Sequence, residues 1–187
     1  MPHIHTQPGQ HDLTVSAYII RKVDDEWRCL VHMHRKAGKL MQVGGHVELN
    51  ETPWQTLIHE IREESGYQSS ELDVLQILPL PTIETAVMHP VPFLSNTHTV
   101  GNAHFHSDWC YGFVAAALPQ RAVAEGESTD MRWCSLAELR ALAESGECLR
   151  DIVTIYSFLL DNISTFRRIP CNEFSLAKPL RGETFIP

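Results

Sequence analysis

The sequence predicts an α/β protein in which a mixed sheet carries helices on its faces. Three observations predict it. Short apolar runs set off by polar or turn residues recur at Leu13 to Ile20, Cys29 to Met33, Asp73 to Leu78, His104 to Leu118 and Met131 to Cys134, and have the length and make-up of strands. Two capping boxes, Thr52-Pro53-Trp54-Gln55 and Ser135-Leu136-Ala137-Glu138, mark helix openings. The order in which strands and helices follow one another is that of a layered α/β domain. At 187 residues the chain fits one domain, since roughly 100–200 residues is the usual span of a single core. That core is expected over about 13–167, with a tail at 168–187.

Taken in order, Leu13 to Ile20 is the first strand, and the polar Val23-Asp24-Asp25-Glu26-Trp27 turns the chain back into Cys29 to Met33 as a hairpin. Arg35-Lys36-Ala37-Gly38-Lys39 is a loop, and Leu40 to Val43 leads into Gly44-Gly45. Thr52 is the N-cap of a helix, Pro53 occupies its first position, Gln55 closes the box and Gly66 stops it. After the strand at Asp73 to Leu78, the proline-rich stretch from Pro79 to Asn102 is expected to be a long irregular connection, of the kind that is often functional. His104 to Leu118 and Met131 to Cys134 return to strand. Ser135 opens a second helix and a third runs from about Leu149 to Phe166. From Ile169 onward no periodicity is visible.

Composition narrows the function. With 43% hydrophobic and 20% charged residues, the chain has the make-up of a soluble globular protein. A net charge of −8 repels nucleic-acid backbones and anionic membranes but leaves room for an anionic small molecule beside a local cation. The first ten residues lack the apolar core of a signal peptide, and no stretch approaches a membrane span, so a cytoplasmic location is expected. Five scattered cysteines without a CxxC suggest neither a disulfide framework nor a structural zinc site.

The most informative segment is Gly44 to Tyr67. On a helix, Trp54, Leu57, Ile58 and Ile61 form one apolar stripe, while Glu60, Glu63 and Glu64 share a neighbouring arc. Like charges at these spacings repel by a few tenths of a kcal/mol per pair, and by more when desolvated. A solvated acidic face is the plain reading. With Glu51 just before the helix and a glycine pair allowing close backbone approach, gathered oxygen ligands of this kind suit Mg²⁺ or Mn²⁺.

This segment resembles the Nudix box, G-x5-E-x7-R-E-U-x-E-E-x-G-U with U a bulky apolar residue, through Gly45, Glu51, Glu60, Ile61, Glu63, Glu64, Gly66 and Tyr67. It departs at His59, which stands where the pattern has arginine. Weaker similarity extends to the strands before the box and to Arg132-Trp133-Cys134-Ser135-Leu136-Ala137-Glu138-Leu139. The resemblance implies a Nudix-type α/β/α sandwich with a mixed sheet. It also implies metal-assisted hydrolysis of a nucleoside diphosphate linked to another moiety. By position, Glu60, Glu63 and Glu64 are the implied metal ligands, Gly45 supplies a backbone carbonyl and Glu51 is a supporting residue. The general base is a box glutamate or one from the loop before Trp133, where Glu127 fits better than Glu125. Two alternatives stay open: a non-catalytic nucleotide-binding domain of this fold, and an isopentenyl-diphosphate isomerase-like enzyme. A small nucleotide-like substrate is the expected partner, without nucleic acid or membrane, and a homodimer is left open.

Two further groups stand out. His104-Phe105-His106-Ser107-Asp108 places two imidazoles and a carboxylate on one face of a strand, which suits substrate contact, zinc, or a plain polar surface. Arg35 and Lys36, near the box, suit either a substrate phosphate or a solvated loop tip.

Overall fold

The computed structural model describes residues 9–101 and 104–177. The chain folds into β1 (His11–Val23), β2 (Glu26–His34), β3 (Lys39–Met41), β4 (Val43–His46), α1 (Pro53–Ser65), β5 (Leu72–Gln76), β6 (Leu94–Val100), β7 (His104–Ala115), β8 (Met131–Cys134), α2 (Leu136–Glu144), α3 (Arg150–Asp161) and β9 (Arg167–Pro170). The β1–β2 hairpin closes through Asp24 and Asp25, both with positive φ, as a tight two-residue turn requires. The strands form one mixed sheet. β1 runs parallel to β7 and antiparallel to β2 and β4, while β5 and β6 pair antiparallel with β7.

Two cores lie on opposite faces of this sheet, making the expected α/β/α sandwich. On one, Trp54, Leu57 and Ile61 of α1 pack against Val15, Ala17, Ile19, Tyr111 and Phe113. On the other, Leu139 of α2 and Ile152, Tyr156 and Leu159 of α3 pack against Tyr18, Ile20, Cys29, Val31 and Cys110. Alternation along β1 and β7 sends odd-numbered residues toward α1 and even-numbered ones toward α3. Each fully buried large side chain contributes about 1.5–3 kcal/mol, so these two layers supply most of the driving force. Both helix starts carry the expected capping boxes, and Gly66 ends α1 in the left-handed conformation.

The structure departs from the sequence reading in two places. Within Pro79 to Asn102 the chain forms β6, whose residues are mostly exposed and polar; its strand character comes from backbone pairing to β7, not from apolar alternation. Asn102 itself lies outside the described residues. Beyond residue 167, β9 pairs with β5, Cys171 is buried and the Phe174 ring packs 5.8 Å from Trp54. Packing therefore continues past the expected core boundary, while 178–187 lie outside the described residues. Among the described residues no helix is long and apolar enough to cross a membrane.

Candidate active site

The site is built where β4 passes beneath α1. β4 lies antiparallel to β1, with Gly45 opposite Val15 and Gly44 opposite Ser16. At Gly44 φ is 153°, and a Cβ would run into the Val15 carbonyl. At Gly45 a Cβ would overlap the Glu60 carboxylate. Two glycines thus let the strand backbone touch the acidic side of the helix. There the Gly44 N–H donates to Glu64 Oε2 at 2.9 Å.

Glu60 and Glu64 are only 6% and 7% exposed. Burial pushes Glu64 up to about 8, against the opposing effect of the Gly44 hydrogen bond, and the charges of Glu60, Glu127 and Glu63 add to the rise. Burial likewise pushes Glu60 up to about 7; nearby His59 opposes this, while Glu63, Glu127 and Glu51 reinforce it. Carboxylates crowded in this way relieve their repulsion by taking up protons or a divalent cation. The all-oxygen donor set and the glycine cradle fit Mg²⁺ or Mn²⁺.

The structure thus brings Gly45, Glu60, Glu64 and the field of Glu127 together. Glu63 faces sideways, toward His59. The His59 Nε2 is 2.9 Å from Glu63 Oε1 and its Nδ1 is 3.3 Å from Glu51 Oε1, while Glu51 Oε2 accepts the Thr56 hydroxyl. The imidazole therefore spans two box carboxylates from the position where the motif has arginine. Burial works against its charge, but the Glu63 hydrogen bond and the charges of Glu63 and Glu51 outweigh burial and raise its pKa above 6.5. Both ring nitrogens donate only while the ring is protonated, so the two-sided contact holds at low pH and is lost as pH rises through this raised value. His59→Arg is expected to raise turnover and remove this alkaline-side loss. Superimposable pH–rate profiles of the two proteins at saturating Mg²⁺ would show His59 to be passive.

The Glu127 loop is tied in from both sides. Arg35 Nη2 donates to the Glu127 carbonyl at 2.9 Å, joining the β2–β3 tip to that loop. Ala124 N–H donates to the Glu63 carbonyl at 2.8 Å, and Gly66 packs so closely under Arg121 that a Cβ there would overlap its carbonyl. Sequence reasoning missed His32. It is 1% exposed, with Nε2 3.3 Å from Glu64 Oε2. Burial and neighbouring His34 lower it to about 4, so it is neutral beside the carboxylate. A histidine inside the apolar run Cys29-Leu30-Val31-His32-Met33 was the available signal.

His104 and His106 belong to the opposite face. Like Asp108 and Cys110 they have even parity on β7, away from α1. Asp108 is buried and accepts hydrogen bonds from Thr14 and Ser16 at 2.9–3.0 Å and from the Cys110 thiol at 3.2 Å. That carboxylate is taken up structurally, whereas His106 meets His46 of β4, Nε2 to Nε2, at 3.1 Å. Burial, with His46, His98 and His104 nearby, lowers His106 to about 4.

Comparison with known proteins bears on family and fold. A family model described as NUDIX domain matches residues 10–153. Among solved structures, a hydrolase of the NUDIX family from Clostridium perfringens is 24% identical, with a TM-score of 0.63 over 81% of this chain and 97% of that one. The Ap4A hydrolase of C. elegans is 17% identical, with a TM-score of 0.55 over 80% and 98%. The NUDIX domain of Shewanella oneidensis NrtR, solved with ADP ribose, is 14% identical, with a TM-score of 0.58 over 86% and 90%. At these identities the structural likeness is one of fold. No curated protein matches the chain.

Proposed function

This chain belongs to the Nudix family, and we propose that it is a Mg²⁺- or Mn²⁺-dependent hydrolase cleaving the diphosphate bond of a nucleoside diphosphate linked to another moiety. The observation that carries the reading is the pair of buried carboxylates, Glu60 and Glu64, held against the Gly44-Gly45 backbone and pushed up to about 7 and 8. Glu60, Glu63, Glu64 and the Gly45 carbonyl would hold the cations. The chemistry supplied by the bound ion is charge neutralisation at the diphosphate and a more acidic water.

The chain's own groups divide the remaining work. Glu127, whose charge reaches both Glu60 and Glu64, is the proposed base that takes a proton from the attacking water. Arg35, beside that loop, is the proposed partner of a substrate phosphate. His104 and His106 are the proposed contacts for the rest of the substrate, a small nucleotide-like molecule met in the cytoplasm. His59 supports the catalytic reading over a binding-only domain, because it bridges Glu51 and Glu63 and so occupies the arginine's place. The isomerase reading has no support from the cysteines, all five of which are buried.

The test is a panel of nucleoside triphosphates, nucleotide sugars, dinucleoside polyphosphates, ADP-ribose and NADH with Mg²⁺ or Mn²⁺, read as phosphate released after phosphatase coupling. Metal-dependent cleavage of one class is expected. Tight binding of a panel member without cleavage would replace the enzyme with a nucleotide-binding domain.

A further inference from the structure

We propose that Asp12, His46 and His106 form a second cation site, separate from the box and suited to Zn²⁺. The inference goes beyond the hydrolase reading and does not depend on it. It rests on how three strands meet. β1 lies between β4 and β7, with Thr14 opposite His46 on one side and Asp12 opposite His106 on the other. The two imidazoles lean over β1 from its two neighbours and converge beside the Asp12 carboxylate.

The distances suit one ion. His46 Nε2 is 3.1 Å from His106 Nε2 and 3.7 Å from Asp12 Oδ2, and one ligand atom from each of the three residues lies within 4.8 Å of the other two. With metal–ligand bonds of roughly 2.0–2.1 Å, the edge of a tetrahedral zinc site is about 3.3 Å, between the separations of His46 Nε2 from His106 and from Asp12. Asp12 is buried, and the side chain of His46 is 14% exposed, so the donors are already shaped and partly desolvated. The rings of His98 and His104 stand 5.4 Å from that of His106, leaving either of them or a water for the fourth position.

Donor chemistry separates the two sites. The box offers oxygens, which suit Mg²⁺ and Mn²⁺, whereas two imidazoles and one carboxylate suit Zn²⁺. Without metal, the His46 and His106 Nε2 atoms share one hydrogen bond at 3.1 Å, and a cation would displace its proton. A bound ion would clip β4 to β1 and β7 one residue past Gly45, so its role is to hold the strand that cradles Glu60.

The test uses the tag-free full-length chain, stripped with chelator and titrated with Zn²⁺ alone against a chromophoric competitor, with Co²⁺ substituted to read coordination from its visible bands. One equivalent with a four-coordinate Co²⁺ spectrum is expected in the wild type and in Glu64→Gln. His46→Ala and His106→Gln should each weaken binding by at least about tenfold. Should His46→Ala lose its far-UV circular dichroism, His106→Gln, which keeps a hydrogen-bonding side chain, decides alone. Substoichiometric Zn²⁺, or loss of the ion in Glu64→Gln, would overturn the proposal. So would retention in the histidine variants, which would move binding to other histidines such as His3 or His5.

Discussion

Glu64→Gln is expected to cut hydrolysis to less than about a tenth of the wild-type rate, a barrier increase of at least about 1.4 kcal/mol, while making the metal-free protein more stable at alkaline pH. Both effects have one cause. Glu64 is buried beside Glu60, accepts the Gly44 N–H, and has its pKa pushed from 4.5 to about 8. Between those values the folded state holds a proton that the unfolded state has released. Its contribution to stability is therefore complete below about 4.5 and lost as pH rises to about 8. Glutamine keeps an oxygen for the Gly44 N–H, never ionises, and relieves the repulsion on Glu60. Metal-free Glu64→Gln should therefore melt roughly 5 °C or more above the wild type at alkaline pH and close to it at pH values near 4.5. Saturating Mg²⁺ should narrow that gap by stabilising the wild type alone. A variant that keeps its activity, or melts no higher than the wild type when metal-free at alkaline pH, would remove Glu64 from the metal site.

Gly45→Ala and Gly44→Ala should fail in different ways, although the residues are adjacent. At Gly45 the added methyl overlaps the Glu60 carboxylate, the far end of a flexible side chain. Glu60 should swing out of the cradle, lowering turnover by at least about tenfold with Tm within a few degrees of wild type. At Gly44 the methyl meets the Val15 carbonyl in the neighbouring strand, and φ is 153°. Backbone must move there, and a loss on the order of 2–4 kcal/mol is expected. Chemical denaturation beside a steady-state assay separates the two. Equal destabilisation by both variants would mean that Gly45 serves the fold and not the carboxylate.

The sequence by itself determined whatever is coded over a few residues. Thr52, Pro53, Gln55 and Gly66 delimit α1, and the spacing of Gly45, Glu51, Glu60, Glu63 and Glu64 identifies the family, because caps and helical periodicity act within one or two turns. Alternation located most strands. It missed β6, a polar edge strand held by its partner β7, and β9, a four-residue strand paired to distant β5.

Tertiary structure alone decided which carboxylates are buried, that His32 lies against Glu64, and that His59 spans Glu51 and Glu63. It also decided that His106 meets His46 and Asp12, while Asp108, two residues along the same strand face, goes to Thr14 and Ser16. The physical reason is register. Pairing β1 with β4 on one side and β7 on the other sets which side chains meet across tens of residues, and a slip of one position would turn every one of them to the opposite face.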